Sequence, residues 1–251
     1  MCHHRRRLIK AMVNSFKNTV FRSPGLLGNV TIGILGLSAG MGILNIAASI
    51  FMIAMPDATI ELDSGESVGI GFAIAGLFGI VVIGLRVICA IFFLMWLYRA
   101  FNNLPVLGAR NLEFSPGWAV GWWFIPFANL VKPYQTVKEL YLQSDPAKRL
   151  ESSLDSRALA SSDIISLWWG TFLAFSFTFR LSDSMAGSDT QEPSHYFPVA
   201  YLVGYILFVT SAILAIFIIR RVGLWQKEIM GGRSREDILL PPPPPTFGKD
   251  E

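Results

Sequence analysis

Apolar residues in this chain are gathered into long runs, and most polar residues lie between the runs. Four runs, residues 30–55, 68–96, 158–179 and 197–219, each contain at most one charged side chain. A helix needs about 20 apolar residues to cross a hydrocarbon core of about 30 Å, and each run exceeds that length. The pattern therefore predicts an all-α protein, a polytopic membrane helix bundle with four transmembrane helices.

A fifth apolar stretch, residues 118–131, is shorter and is interrupted. Pro126 lies inside it, and its 14 residues would reach only about 21 Å as a helix. Ser115 before Pro116 predicts a helix start, with proline at the first helical position. Apolar segments of this length are typical of re-entrant or interfacial helices. We therefore predict a short, broken, re-entrant or interfacial aromatic helix over residues 116–131.

The basic residues favour the same threading. With four spans, 19 of the 21 Lys and Arg residues fall in the two termini and in the segment between the second and third spans. Cytoplasmic segments of membrane proteins carry such an excess of positive charge, whereas the other two loops here are acidic. We expect a multi-pass protein of the cell membrane with both termini in the cytoplasm.

Composition supports a membrane protein and argues against other classes. The chain is 52% hydrophobic and 16% charged, whereas a soluble domain is about a quarter charged. Its net charge of +3 does not predict nucleic-acid binding, because the positive charges are concentrated in the segments expected on the cytoplasmic side of the membrane. The two cysteines, Cys2 in the basic tail and Cys89 in an apolar run, argue against a disulfide.

We divide the chain into three parts: residues 1–29, 30–230 and 231–251. The first is a basic cytoplasmic segment whose residues 5–22 predict an amphipathic helix. This helix would bind anionic inner-leaflet lipids, or it would act only as a topology signal. The second part is the membrane domain. The third is a proline-rich cytoplasmic tail with the run Pro241–Pro245, which would dock an aromatic groove or serve as a spacer.

Arg86 is the one charged residue inside the second span. Ionisable groups within a membrane are costly and often functional. Asp163 is the predicted partner, because both residues would lie near the inner face if the second span begins at residue 68. The alternative is that Arg86 extends to inner headgroups while Asp163 lies at the interface.

The broken segment supplies the other candidate functional residues, Trp122, Trp123, Pro126 and Asn129. Tryptophans at segment ends are typical anchors in the membrane interface. In a kinked segment they would instead line a pocket, and backbone groups near Pro126 and Asn129 would bind a polar ligand or be satisfied by neighbouring helices.

Small residues predict where helices approach closely. The first two spans carry glycines at helical spacing, namely Gly33, Gly36, Gly40, Gly76 and Gly79. Such faces let transmembrane backbones pack together. We expect the two spans to pack on each other through these glycines, in preference to forming a homo-oligomer.

No motif for chemistry is found in the chain. It has no H-E-x-x-H, no G-x-S-x-G, no phosphate-binding loop and no metal-ligand spacing. We therefore expect no catalytic, cofactor-binding or metal-binding residues, no cofactor, and a protein that is not an enzyme.

A resemblance to a known family rests on residues 93–146, which read FLMWLYRAFNNLPVLGARNLEFSPGWAVGWWFIPFANLVKPYQTVKELYLQSDP. Its specific elements are Pro116–Trp118 and Trp122–Leu130. The chain resembles a bacterial membrane family catalogued as domain of unknown function 4328, over roughly residues 70–225. The resemblance implies a membrane domain and assigns no activity or functional residue.

We expect an integral membrane protein acting in membrane assembly or as an accessory, in contact with the lipid bilayer and with a protein partner or a second copy. The alternative is a small-solute transporter or channel that uses a cavity at the broken segment, residues 116–133.

Overall fold

The computed structural model describes residues 21–61, 67–109, 111–147, 163–185 and 196–232. Residues 5–20 of the predicted amphipathic helix and the run Pro241–Pro245 lie outside the described residues. Within them the chain forms six α-helices and one small β-hairpin. In chain order these are α1 Gly25–Ala54, β1 Thr59–Glu61, β2 Ser67–Gly69, α2 Ile70–Val106, α3 Pro116–Gly121, α4 Lys132–Ser144, α5 Asp163–Met185 and α6 Phe197–Gly231.

Four of these helices are long and apolar enough to cross a membrane. The membrane-compatible stretches are Gly25–Ala54, Gly79–Val106, Asp163–Ser182 and Phe197–Gly231. The predicted all-α bundle with four spans is thus confirmed, and the chain is a membrane-embedded protein.

Two helices extend beyond the predicted spans. Helix α2 continues ten residues past residue 96, and α6 continues to Gly231 instead of ending at residue 219. Helix α2 ends where Gly108 adopts a φ of 91° and the Ala109 N–H donates to the Leu104 carbonyl at 2.9 Å. Glycine is the residue that accepts this left-handed conformation at a helix end.

The β-hairpin between α1 and α2 was not predicted. Its two strands are antiparallel, and Ile60 pairs with Val68 at the centre of the register. Each strand has only three residues, which is too short for a clear alternating pattern in the sequence.

The fold divides into two compact units. The first unit comprises residues 1–28, 93–162 and 219–251, and the second comprises residues 29–92 and 163–218. In the first unit the α2 side chains Trp96, Leu97 and Leu104 are fully buried together with Leu140 of α4 and Val222 of α6.

The second unit buries a face of α1 that is made of small and polar residues. Thr31, Ser38 and Asn45 recur every seven residues and are buried, and Gly42 lies against Phe208 and Val209. Helices in lipid gain little from apolar contact with one another, so small residues that allow close approach favour their interfaces. The aromatic core of this unit is built from Phe175, Phe197, Tyr201, Tyr205 and Phe208 with Ala48, Met52 and Val82.

Candidate functional site

Arg86 lies in an aromatic cage in the second unit. Its guanidinium carbon is 4.5 Å from the ring centroid of Phe208, 4.7 Å from that of Phe175 and 4.9 Å from that of Phe179. The ring of Tyr205 is 6.0 Å away. Aromatic faces attract a cation through their quadrupoles, most strongly where water is excluded. The rings therefore stabilise the charge of Arg86 within the span.

A chain of hydroxyl and amide groups extends from the cage. The chain begins at Tyr205, whose ring is one wall of the cage. The hydroxyls of Tyr205 and Tyr201 are 3.3 Å apart, and the Tyr201 hydroxyl donates to Asn45 Oδ1 at 2.9 Å. Asn45 Nδ2 in turn donates to the Met41 carbonyl at 2.9 Å. Sequence reasoning missed the two tyrosines, although their spacing of four residues in an apolar helix places them on one face.

The predicted pairing of Arg86 with Asp163 was wrong. Asp163 is exposed at the first position of α5, whereas the cage uses Phe175 and Phe179 of the same helix. Phe175 lies 12 residues further along, about 18 Å at helical rise. The error lay in the assumed depth of Arg86, because its cage lies far along α5 from the helix start at Asp163.

The predicted break in the aromatic segment is present in the first unit. Ser115 caps α3 by accepting a hydrogen bond from the Trp118 N–H, with Pro116 at the first helical position. Two single-turn 3-10 helices follow, Trp122–Phe124 and Ala128–Leu130, on either side of Pro126. The longest helix in the segment has six residues, or about 9 Å, which is too short to cross a bilayer.

The broken segment exposes large apolar side chains. Phe127 is 87% exposed and has a φ of 63°, which is rare for a residue other than glycine. Phe124 is 72% exposed. The other exposed apolar residues of the segment are Trp118, Ile125, Leu130 and Val131. This surface is suited to contact with an apolar partner, whether lipid or protein.

Polar groups lie beneath that surface. Three side-chain atoms are buried and have no hydrogen-bond partner within the described part of the chain: Trp122 Nε1, Asn129 Oδ1 and Gln135 Oε1. Lys132 places its ammonium group 5.2 Å from the Phe114 ring and 5.7 Å from the Trp122 ring. Buried polar atoms normally have partners, so these three atoms are candidate contacts for a polar ligand.

Trp123 has a different environment from Trp122. Its ring meets Phe93 of α2 edge-on, with centroids 5.4 Å apart. This contact attaches the broken segment to a long helix of the same unit. Trp123 thus has a packing role in the described part of the structure.

A second polar network lies in the first unit, and sequence reasoning missed it. The side chain of Gln226 is fully buried. Its Nε2 donates to the Ala100 carbonyl at 3.0 Å and to Ser144 Oγ at 3.2 Å, and its Oε1 accepts from Asn103 Nδ2 at 3.0 Å. Asn103 also exchanges two hydrogen bonds with the backbone of Arg22. The network links α2, α4 and α6 to the segment before α1 and is satisfied internally, so we assign it a structural role.

Glu139 of α4 holds the loop that precedes α3. Its carboxylate oxygens accept hydrogen bonds from the backbone N–H groups of Glu113, at 2.6 Å, and Phe114, at 3.1 Å. Burial raises the pKa of the Glu139 carboxyl, the two hydrogen bonds oppose that rise, and the nearby charge of Glu113 adds to it. The net pKa is above the usual value of a glutamate.

The predicted packing of the first two spans through their glycines was wrong for most of them. At Gly33, Gly36, Gly40 and Gly76 an added Cβ would meet no atom within 4 Å, and all four are exposed. Gly79 alone has a neighbour, the Tyr201 hydroxyl at 3.6 Å from such a Cβ. The close approach occurs instead at Gly42, where an added Cβ would lie 2.9 Å from Val209 and 3.1 Å from Phe208. Glycine spacing identified a small-residue face but not the direction in which it points.

The described residues bring no metal-ligand set together, since no three His, Cys, Asp or Glu side chains cluster among them. Cys89 is a buried free thiol. The groups available for recognition in this part of the chain are therefore Arg86 with its cage and the unsatisfied atoms of the broken segment.

Comparison with known proteins agrees with this architecture. No curated protein and no solved structure matches the chain. A family model described as Domain of unknown function (DUF4328) matches residues 61–223. This region covers about two thirds of the chain and includes Arg86, the cage and the broken segment. The chain belongs to this family.

Proposed function

We propose that the protein is a non-enzymatic component of the cell membrane that acts in membrane assembly or as an accessory to other membrane proteins. The observation that carries this proposal is the exposed glycine face of α1. Gly33, Gly36 and Gly40 lie within two helical turns and have no neighbour at the Cβ position. The opposite face of the same helix already makes the contacts within the second unit.

A glycine face that points away from its own bundle supports association with another helix. In lipid, helices associate through close backbone approach, and exposed glycines permit it. The flanking side chains Leu37, Ile43 and Leu44 are exposed and would form the walls of such an interface. The exposed apolar side chains of the broken segment offer a second, separate contact surface.

The charge distribution supports an orientation with both termini in the cytoplasm. Residues between α2 and α5 carry basic side chains, including Lys132 and Lys138, whereas the loop between α1 and α2 is acidic. In this orientation the broken segment lies on the cytoplasmic side, where anionic lipids would attract these lysines.

The assembly role is tested by blocking the glycine face. Gly36→Ile adds a bulky side chain where no atom lies within 4 Å, so the fold should accept it. The matched control is Gly84→Ile, at an exposed glycine of α2 that also has no neighbour within 4 Å. Each full-length variant is extracted in a mild detergent, and its mass is measured by light scattering together with the proteins that co-purify.

We expect the wild-type protein and Gly84→Ile to run as a larger assembly, with a second copy or another membrane protein. Gly36→Ile should run as the isolated, folded chain. A wild-type protein that is repeatedly monomeric and alone would contradict the assembly role. An unchanged assembly in Gly36→Ile would remove the glycine face from it.

The second candidate function is a small-solute transporter or channel. It is favoured by the buried and unsatisfied Trp122 Nε1, Asn129 Oδ1 and Gln135 Oε1, since broken helices with free polar groups form substrate sites in many transporters. Asn129→Ala should then abolish swelling of proteoliposomes challenged with glycerol or glycine, while leaving the protein folded. Arg86→Leu provides a second variant of the same test. Wild-type vesicles that swell no faster than empty ones would exclude permeation of these solutes.

A further inference from the structure

We propose that Arg86 is the binding site for an oxyanion, a carboxylate or a phosphate, held by two parallel N–H groups of its guanidinium within the aromatic cage. This goes beyond the proposed assembly role and does not depend on it. The ligand chemistry is shared by membrane lipids and by soluble anions, and the experiment below separates the two sources.

Two guanidinium nitrogens of Arg86 lack a hydrogen-bond acceptor among the described residues. They are Nε and Nη2, and both are buried. These two nitrogens lie on the same edge of the planar guanidinium, so their N–H bonds run side by side. This edge takes two oxygens of one carboxylate or phosphate in a bidentate arrangement. A buried donor without a partner destabilises the protein, and here the two donors form one ready-made fork.

The cage around Arg86 is uncharged. The groups that contact Arg86 are three phenylalanine rings and Tyr205, and none of them is anionic. The rings cover the faces of the guanidinium and leave its edge without an acceptor. Among the described side chains no carboxylate pairs with Arg86, so its charge is not neutralised by them.

Three rings of the cage are held in place by burial, and the fourth ring is partly exposed. Phe175, Phe208 and Tyr205 are buried, at 8%, 7% and 1% exposure. Tyr205 is further held by the hydroxyl of Tyr201, which donates to Asn45. Phe179 is the partly exposed ring of the cage, so its rotation is the movement that would admit an anion to the fork.

The experiment measures the unfolding temperature of the full-length protein in dodecyl maltoside by its tryptophan fluorescence. Five probes are titrated: inorganic phosphate, acetate, oleate, phosphatidylglycerol and, as a lipid without net charge, phosphatidylcholine. Binding to the folded state raises the unfolding temperature in a saturable way. A response to phosphate or acetate identifies a soluble anion site, whereas a response to oleate or phosphatidylglycerol alone identifies a lipid site.

The variants test the fork directly. Arg86→Gln removes the charge, and Arg86→Lys keeps the charge but lacks the two parallel donors. The matched control is Arg180→Gln, which removes an exposed arginine from α5. We expect the half-saturating probe concentration to rise about tenfold or more in both Arg86 variants, the loss of charge-assisted hydrogen bonds. It should stay unchanged in Arg180→Gln.

Two results would overturn the proposal. In the first, the wild-type protein responds to none of the four anions. If Asp183→Asn then gains the response, the carboxylate of Asp183, four residues after Phe179 in the sequence, is identified as the partner of Arg86. In the second, Arg86→Lys or Arg86→Gln is folded and responds as the wild type does.

Discussion

Replacement of Gln226 by leucine should destabilise the first unit by about 2–3 kcal/mol. The fully buried side chain of Gln226 makes three hydrogen bonds, to Ala100, Asn103 and Ser144. Hydrogen bonds between membrane helices average about 0.6 kcal/mol, and those in proteins generally contribute about 1 kcal/mol. Three bonds therefore give roughly 2–3 kcal/mol, before any added cost of the partners left unsatisfied.

The assay is unfolding in mixed micelles by increasing amounts of dodecyl sulfate, followed by circular dichroism. The neighbouring residue Glu228 is exposed, so Glu228→Leu is the matched control and should change the unfolding free energy by less than about 0.5 kcal/mol. Ser144→Ala combined with Gln226→Leu should cost less than the sum of the single changes, because both remove the same bond. A loss below about 0.5 kcal/mol in Gln226→Leu would refute the reasoning that this network holds the helices together.

Three further predictions concern single positions. Gly42→Ala would place a Cβ 2.9 Å from a methyl group of Val209 and should destabilise the second unit by about 1–3 kcal/mol in the same assay. The control Gly40→Ala has no neighbour within 4 Å and should be neutral or slightly stabilising, and equal effects of the two variants would contradict the packing of α1. Because the pKa of Glu139 is raised, the folded state binds its proton more tightly than the unfolded state does, and the unfolding free energy should fall as pH rises through the range just above that of an ordinary carboxyl. Glu139→Gln should remove this dependence of the unfolding free energy on pH, and a dependence that persists would belong to another group. Phe127→Gly should stabilise the protein in detergent by about 1 kcal/mol, because it relieves a φ of 63° at a side chain that is 87% exposed; a loss of stability would mean that Phe127 is packed.

The four spans could be predicted because crossing a bilayer is a requirement on a single segment. Length and hydropathy decide whether a segment can cross, without knowledge of its neighbours. The apolar run 197–219, which lies within α6, is an example. The start of α3 was equally local, since Ser115 and Pro116 carry the capping signal in two adjacent residues.

The contacts of Arg86 could not be predicted in the same way. They depend on the position of α2 along its axis relative to α5, which sets whether Arg86 meets the start of α5 or a point about 18 Å further along it. The neighbours of Arg86 on α5 are Phe175 and Phe179 instead of Asp163.

The direction of a helix face is a second property that the sequence leaves open. Helix α1 carries small residues all round, so Gly36 and Gly42 look alike in the sequence. Only tertiary packing places Gly42 against Phe208 and leaves Gly36 exposed. The network around Gln226 was missed for a related reason, since a glutamine beside charged residues gives no sign that it is buried.

The most direct test of the account is the side of the membrane on which the loop after the broken segment lies. Cys2 and Cys89 are replaced by serine, and single cysteines are introduced by Ala147→Cys and by Asp57→Cys, both at exposed positions. Ser144 is unsuitable because it is buried and bonded to Gln226. Intact cells are then treated with a membrane-impermeant maleimide. With four spans and cytoplasmic termini, Asp57→Cys labels in intact cells and Ala147→Cys labels only after permeabilisation. Labelling of Ala147→Cys alone in intact cells would contradict the cytoplasmic placement of this loop and the termini, and labelling of both cysteines would contradict the four spans.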